Sequence, residues 1–136
     1  MCGITGIYNY LEKPINSRSI IEKIVKIQNT RGPDDRGIWQ SECKKICFGH
    51  NRLSIIDLSA NAKQPFISKD KNFVITFNGE IYNYKEIKKE LISNKVYFKS
   101  DSDTEVIIES YKYWGLDFLK KLRGMFAFAL WDSLEK

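Results

Sequence analysis

Apolar positions along this chain follow two periods that alternate from segment to segment. Ile4, Ile7 and Tyr8 mark a short first strand. From Ser17 to Gln28 the spacing of Ile20, Ile21, Ile24, Val25 and Ile27 predicts a helix with one broad apolar side, capped by Asn16 or Ser17. Pro33 with Gly32 and Gly37 breaks both periods, so Thr30 to Gly37 is expected as a loop. Strands resume near Ile38-Trp39 and from Ile46 to Leu53. A buried strand, Phe73 to Phe77, is expected to stop at Asn78-Gly79, a dipeptide prone to positive φ. Helices follow from Tyr84 to Ser93 behind an Asn83 cap, and from Asp101-Ser102-Asp103-Thr104 to Tyr113 or Trp114, closed by Gly115. The last run, Met125 to Asp132, is apolar throughout and predicts a strand buried on both faces. Strands and helices so mixed, with no internal repeat, point to an α+β domain.

Composition narrows the class. The 136 residues suit one domain, 43% of them hydrophobic and 29% charged, in the range of soluble globular proteins. No apolar run approaches the roughly 18–20 residues of a membrane span, and no basic, then apolar, leader opens the chain. The expected location is therefore cytoplasmic, with no membrane partner. A net charge of +5 invites a nucleic-acid reading, but in Tyr84 to Leu91 the lysines alternate with glutamates as on a solvated helix face. No nucleic-acid partner is expected.

Chemistry enters at the second residue. Removal of Met1 would leave Cys2 as the N-terminus, where one residue supplies both a thiol and an amine to accept its proton. In free peptides these two groups titrate within about a unit of one another. Attack on an amide creates an oxyanion, and an asparagine carboxamide beside a backbone N–H at a tight turn can receive it. Asn78-Gly79 has that composition, although the pair alone reads as a hairpin turn. A free amino acid also needs a guanidinium for its carboxylate and carboxylates for its ammonium. Arg52, Glu80 and Asp103 are available, and each taken singly is a surface charge. His50 stands alone as histidine and is read as structural. Cys43 and Cys47 lack the further ligands of a zinc site, so no metal is expected, and the odd cysteine number argues against a disulfide framework. Tyr82, Tyr84, Tyr111, Tyr113 and Trp114 are read as core packing rather than a stacking platform.

Order gives these residues more weight than they have singly. Met1-Cys2-Gly3-Ile4, Arg31-Gly32-Pro33-Asp34, Gly49 to Ile55, Phe77-Asn78-Gly79-Glu80-Ile81-Tyr82-Asn83, Ser102-Asp103-Thr104-Glu105 and Gly124 to Ala129 follow one another along nearly the whole chain. Together they resemble the N-terminal glutaminase domain of glutamine-hydrolysing asparagine synthetase, a class II glutamine amidotransferase. The resemblance implies the N-terminal-nucleophile hydrolase fold, a four-layer α/β/β/α sandwich of antiparallel sheets, over residues 1–136. It assigns Cys2 as nucleophile and Asn78 with the Gly79 N–H as oxyanion hole. Arg52, Glu80 and Asp103 would bind the charged end of glutamine, with the backbone from Leu53 to Ile55 lining the pocket. The Arg31 to Gly37 loop would close near Cys2.

In the resembled family further strands follow the Met-Phe-Ala-Phe-Ala segment, and then a synthetase domain with an ATP-binding loop. Neither is found in these residues, so the fold is expected to be incomplete at the C-terminus, with one sheet edge unpaired. ATP and Mg would belong only to the absent synthetase domain, and this domain would need no cofactor. Glutamine is the expected small-molecule partner, the synthetase domain normally lies in the same chain, and a homodimer is left open. Three readings remain: a glutaminase that supplies ammonia for asparagine formation, a truncated remnant, and a non-catalytic module on the same scaffold. An acceptor other than aspartate, such as a surface-sugar carboxylate, stays open as well.

Overall fold

The computed structural model describes residues 2–11, 15–53 and 63–135. Two three-stranded antiparallel sheets stack face to face. The first holds β1 (Gly3–Tyr8), β2 (Asp35–Gln40) and β3 (Ile46–Arg52) in the order β1-β3-β2. The second holds β4 (Phe66–Ile67), β5 (Phe73–Ile81) and β6 (Gly124–Asp132) in the order β4-β5-β6. Helix α1 (Ser17–Ile27) covers the outside of the first sheet. Helices α2 (Tyr84–Ser93) and α3 (Asp103–Trp114) cover the outside of the second.

Three apolar layers correspond to the three interfaces between these four layers. Ile21 and Val25 of α1 pack on Cys47 of β3 with Ile7 and Ile38. Between the sheets lie Ile46, Phe48 and Val74, bordered by Trp39, Ala129 and Trp131. The largest layer joins Phe73, Ile75, Phe77 and Ile81 of β5 to Ile87 and Leu91 of α2 and to Val106, Ile107 and Ile108 of α3. Each aliphatic side chain so buried contributes about 1.5–3 kcal/mol. Phe73, Ile75, Phe77 and Ile81 of β5 thus meet the helices, and Val74 and Thr76 meet the first sheet, as a pleated strand requires.

Helix ends follow the polar signals closely. The Asn16 carboxamide accepts from the Ser19 N–H and caps α1, while the Ser102 hydroxyl accepts from the Glu105 N–H and caps α3. Gly115, with φ of +57°, closes α3. Asn83 precedes α2 without capping it, because its side chain donates to the Lys121 carbonyl and accepts from the Arg123 N–H, tying α2 to the start of β6.

Several expectations are corrected. The Thr30 to Gly37 loop is shorter than read: Gln28–Arg31 forms a 3-10 turn, and β2 begins at Asp35 because Asp35, Arg36 and Gly37 pair with Arg52, Asn51 and His50. Strand β5 does not stop at Asn78-Gly79. Pairing of Asn78 with Ala127 and Gly79 with Phe126 carries it to Ile81. Strand β6, expected to be buried on both faces, is exposed to half-buried along its whole length. Among the described residues it has one strand neighbour, so Met125 remains 69% exposed. Ile20 and Ile27 face outward, as do Tyr82 and Tyr113, whereas Tyr84, Tyr111 and Trp114 do pack on the core. The two-residue β4 and the 3-10 turn at Gly115–Lys121 carried no periodic signal to read.

Candidate functional site

Strand alternation determines which side chains look into the gap between the sheets. On β1, Ile7 packs toward α1, whereas Tyr8 meets Trp131 of β6 with ring centroids 6.5 Å apart. Counting back from Tyr8 by twos, Cys2 shares its side and faces the second sheet. On β3, Cys47 packs toward α1 and Phe48 into the gap, so His50 and Arg52 also point inward. On β5, Val74 lies in the gap and the Thr76 hydroxyl donates to the Gly49 carbonyl at 3.2 Å, which puts Asn78 on the same inner side.

Contacts across the gap also fix the level of each residue. Thr76 meets Gly49, and one step further His50 Nε2 lies 3.0 Å from the Phe77 carbonyl oxygen. The two strands therefore advance together, and Asn78 comes beside the Asn51-Arg52 end of β3. Cys2 sits at that same end, because Gly3 pairs with Asn51. Its thiol lies 3.3 Å from the Leu53 nitrogen, which donates to it, and 3.6 Å from the Leu53 carbonyl oxygen. Arg31 Nε donates to the Cys2 carbonyl at 3.3 Å, so the turn before Gly32 does reach the cysteine.

Gly79 has a φ of +151°, a region that disfavours any residue with a Cβ. A Cβ there would also run into the Met125 carbonyl and Phe126. The Asn78-Gly79 pair predicts a turn, yet this positive φ lies inside a strand whose register with β6 is unbroken. Asp103, at the first turn of α3, is buried and accepts from the Ile81 N–H at 3.1 Å. Burial raises its carboxyl above the usual carboxylate range, the Ile81 N–H opposes that rise, and the Glu80 carboxylate adds to it. Asp103 and Glu80 therefore feel one another at the end of β5. Cys2, Arg52, Leu53 and Asn78 are brought to one end of the gap, and Gly79, Glu80 and Asp103 continue from it. Ile55 lies outside the described residues.

The family model described as a glutamine amidotransferase domain matches residues 1–136. This chain belongs to that family. The amidotransferase domain is 41% identical over 137 residues to asparagine synthetase [glutamine-hydrolyzing] 1 of Bacillus subtilis, covering 98% of this chain and 21% of the relative. Asparagine synthetase B of Escherichia coli is 38% identical, with 98% and 23% covered. Amidase chry2 of Gibberella zeae is 40% identical, with 98% and 21% covered. The chain thus spans about a fifth of the length of these relatives. Among solved structures, the glutamine phosphoribosylpyrophosphate amidotransferase of B. subtilis, complexed with ADP and GMP, superposes with a TM-score of 0.75. It is 22% identical and covers 96% of this chain and 35% of that one, a likeness of fold. The amidotransferase domain has the N-terminal-nucleophile hydrolase architecture expected from its motifs.

Gln64 lies outside every motif, and the partner of His50 is not given by its motif. Gln64 accepts from the Phe77 N–H at 2.7 Å and donates to the Thr104 hydroxyl at 3.2 Å, linking β5 to the start of α3. His50 was read as structural, and its ring does bridge the two sheets. Neither contact has a local sequence signal, since each joins residues 13 or more positions apart. The other two cysteines lie elsewhere: Cys43 is exposed beside the Ser41 hydroxyl, and Cys47 is buried under α1.

Proposed function

We propose that this domain hydrolyses glutamine at Cys2 and passes ammonia to a synthetase domain, for asparagine formation. The reading is supported by the register of β1 on β3 and the contacts of β3 with β5, from which strand alternation puts Cys2 and Asn78 on facing inner sides of the two sheets, level with Arg52. Once Met1 is removed, the Cys2 amine would accept the thiol proton while Sγ bonds to the amide carbon of glutamine. The carbonyl electron pair would move to oxygen, where the Asn78 carboxamide and the Gly79 N–H donate to it, each worth a few kcal/mol. Collapse of this tetrahedral state breaks the C–N bond. The leaving nitrogen takes the proton held by the amine and departs as ammonia, leaving a γ-glutamyl thioester. Water, deprotonated by the same amine, then displaces the thiolate and yields glutamate.

The remaining charges suit recognition of the amino-acid end. The Arg52 guanidinium would pair with the α-carboxylate, and Glu80 and Asp103 would take the α-ammonium. Asp103 is already oriented by the Ile81 N–H, so little side-chain ordering is left for binding. Leu53 supplies backbone polar groups beside the thiol. The acceptor of ammonia is a separate matter, because an amidase and asparagine synthetases match this region about equally well. The closeness to several asparagine synthetases favours aspartate.

A glutaminase assay on the purified chain tests the hydrolytic step. Equal amounts of glutamate and ammonia are expected from the wild type, and Asn78→Ala is expected to lower kcat by about a hundredfold or more. No glutamate from a cooperatively folded wild type would overturn the reading.

A further inference from the structure

His50 has no exposed surface and sits where four segments converge between the sheets. Its Nε2 lies 3.0 Å from the Phe77 carbonyl oxygen. A carbonyl only accepts, so Nε2 carries the hydrogen and the neutral ring leaves Nδ1 as a bare lone pair. Nδ1 is buried and has no hydrogen-bond partner among the described residues. Directly beside His50 on β2 is its register partner Gly37. A Cβ at Gly37 would run into the Gln64 carbonyl, so the Gln64 backbone is seated on β2 at the level of His50. The Gln64 side chain returns to the same point from the other direction and accepts from the Phe77 N–H at 2.7 Å.

Phe77 is thus held at both backbone polar groups by side chains from outside its own sheet ladder. The carbonyl bound by His50 belongs to the peptide whose nitrogen is that of Asn78. Peptide planarity makes this restraint directional: fixing the oxygen fixes the plane from which the Asn78 Cα, and then Gly79, continue. Stability alone does not call for a histidine here, because a buried imidazole with an unpartnered Nδ1 carries a desolvation cost that an apolar residue would avoid.

From this geometry we propose that His50, seconded by Gln64, is a positioning residue that fixes the Phe77-Asn78 peptide so that the Asn78 carboxamide and the Gly79 N–H stay aimed at the oxyanion formed over Cys2. The inference rests on the glutaminase reading above. Its effect falls on the transition state, because the oxyanion exists only there, and glutamine binding through Arg52 and Asp103 is left intact. An error of about 1 Å in such donors is enough to cost on the order of a hundredfold in rate.

The test compares glutamine hydrolysis by wild type, His50→Gln and His50→Asn, each checked for a cooperative thermal transition. A glutamine amide reaches about as far as Nε2, whereas an asparagine amide falls short. His50→Gln is expected within about threefold of wild-type kcat, and His50→Asn at least about tenfold lower, both with KM for glutamine within about threefold. Gln64→Asn, which shortens the second restraint and leaves the imidazole in place, is expected to lower kcat with KM likewise kept. It decides the matter alone where His50→Asn does not fold: unchanged kcat in Gln64→Asn then overturns the proposal. A folded His50→Asn at wild-type kcat overturns it too, as does equal loss of kcat in the folded Gln and Asn variants, since the reach of the donor to the Phe77 carbonyl then makes no difference. In each of these cases an active wild type leaves the glutaminase reading standing. A folded wild type without activity removes both.

Discussion

The Cys2 thiol lies 3.3 Å from the Leu53 backbone nitrogen, although 51 positions separate them. The antiparallel register of β1 on β3 produces this contact, since Gly3 opposite Asn51 leaves the next residue of β3 and its successor beside the cysteine. The thiol is therefore held at the end of a strand buried along its whole length, at the mouth of the gap that Asn78 faces.

Replacement of Gly79 tests how strictly its backbone is required. In Gly79→Ala the new methyl group meets the Met125 carbonyl and Phe126 while the residue must keep a φ of +151°. A loss of at least about 2 kcal/mol in urea unfolding is expected, with hydrolysis abolished in whatever fraction stays folded. Wild-type stability in the alanine variant would mean that β5 and β6 do not approach one another as described.

Asp103→Asn separates binding from folding. The amide oxygen can still accept from the Ile81 N–H, so the link to β5 survives. Because burial opposes the charged carboxylate, the variant is expected to unfold at the same temperature as wild type or higher at neutral pH. Its KM for glutamine should rise by about tenfold to a hundredfold, as the ammonium loses a charged partner. An unchanged KM would remove Asp103 from the substrate site.

The buried histidine gives a pH dependence of definite sign. Burial pushes the His50 imidazole down to about 4, with the Phe77 carbonyl opposing and Arg52 adding to the fall. The unfolded chain takes up this proton near 6.5, so between pH 6.5 and 4 the unfolded state binds more protons than the folded one. The contribution of the neutral ring is fully present above pH 6.5 and is lost toward pH 4, by at most about 3 kcal/mol. Asp103 and Glu109, whose carboxyls burial raises, act in the opposite sense at the acid end. Unfolding free energies of wild type and His50→Gln measured across this window isolate the histidine. Wild type should lose stability relative to His50→Gln as pH falls through this window, and parallel curves would contradict the buried neutral ring.

The sequence made some of this arrangement readable and hid the rest for physical reasons. Cys2, Arg52, Asn78 and Asp103 stand out as candidates because six short runs follow one another in the order of one family, not from any one residue, whereas the caps at Asn16 and Ser102 are legible locally because capping is a short-range interaction. The Asn78-Gly79 pair misled as a turn, since nine paired residues of β5 and β6 outweigh a dipeptide preference. Strand β6 misled as a buried strand, since an apolar run says nothing of what lies beside it. The restraint of Phe77 by His50 and Gln64 was invisible, because it depends on how two sheets stack.

Intact-mass spectrometry of the purified chain, before and after an electrophilic glutamine analogue, tests the central chemistry most directly. Loss of Met1 and a single adduct that is absent from Cys2→Ala are the results that glutamine hydrolysis at Cys2 requires. A chain that has lost Met1, unfolds cooperatively and still takes up no adduct would contradict it.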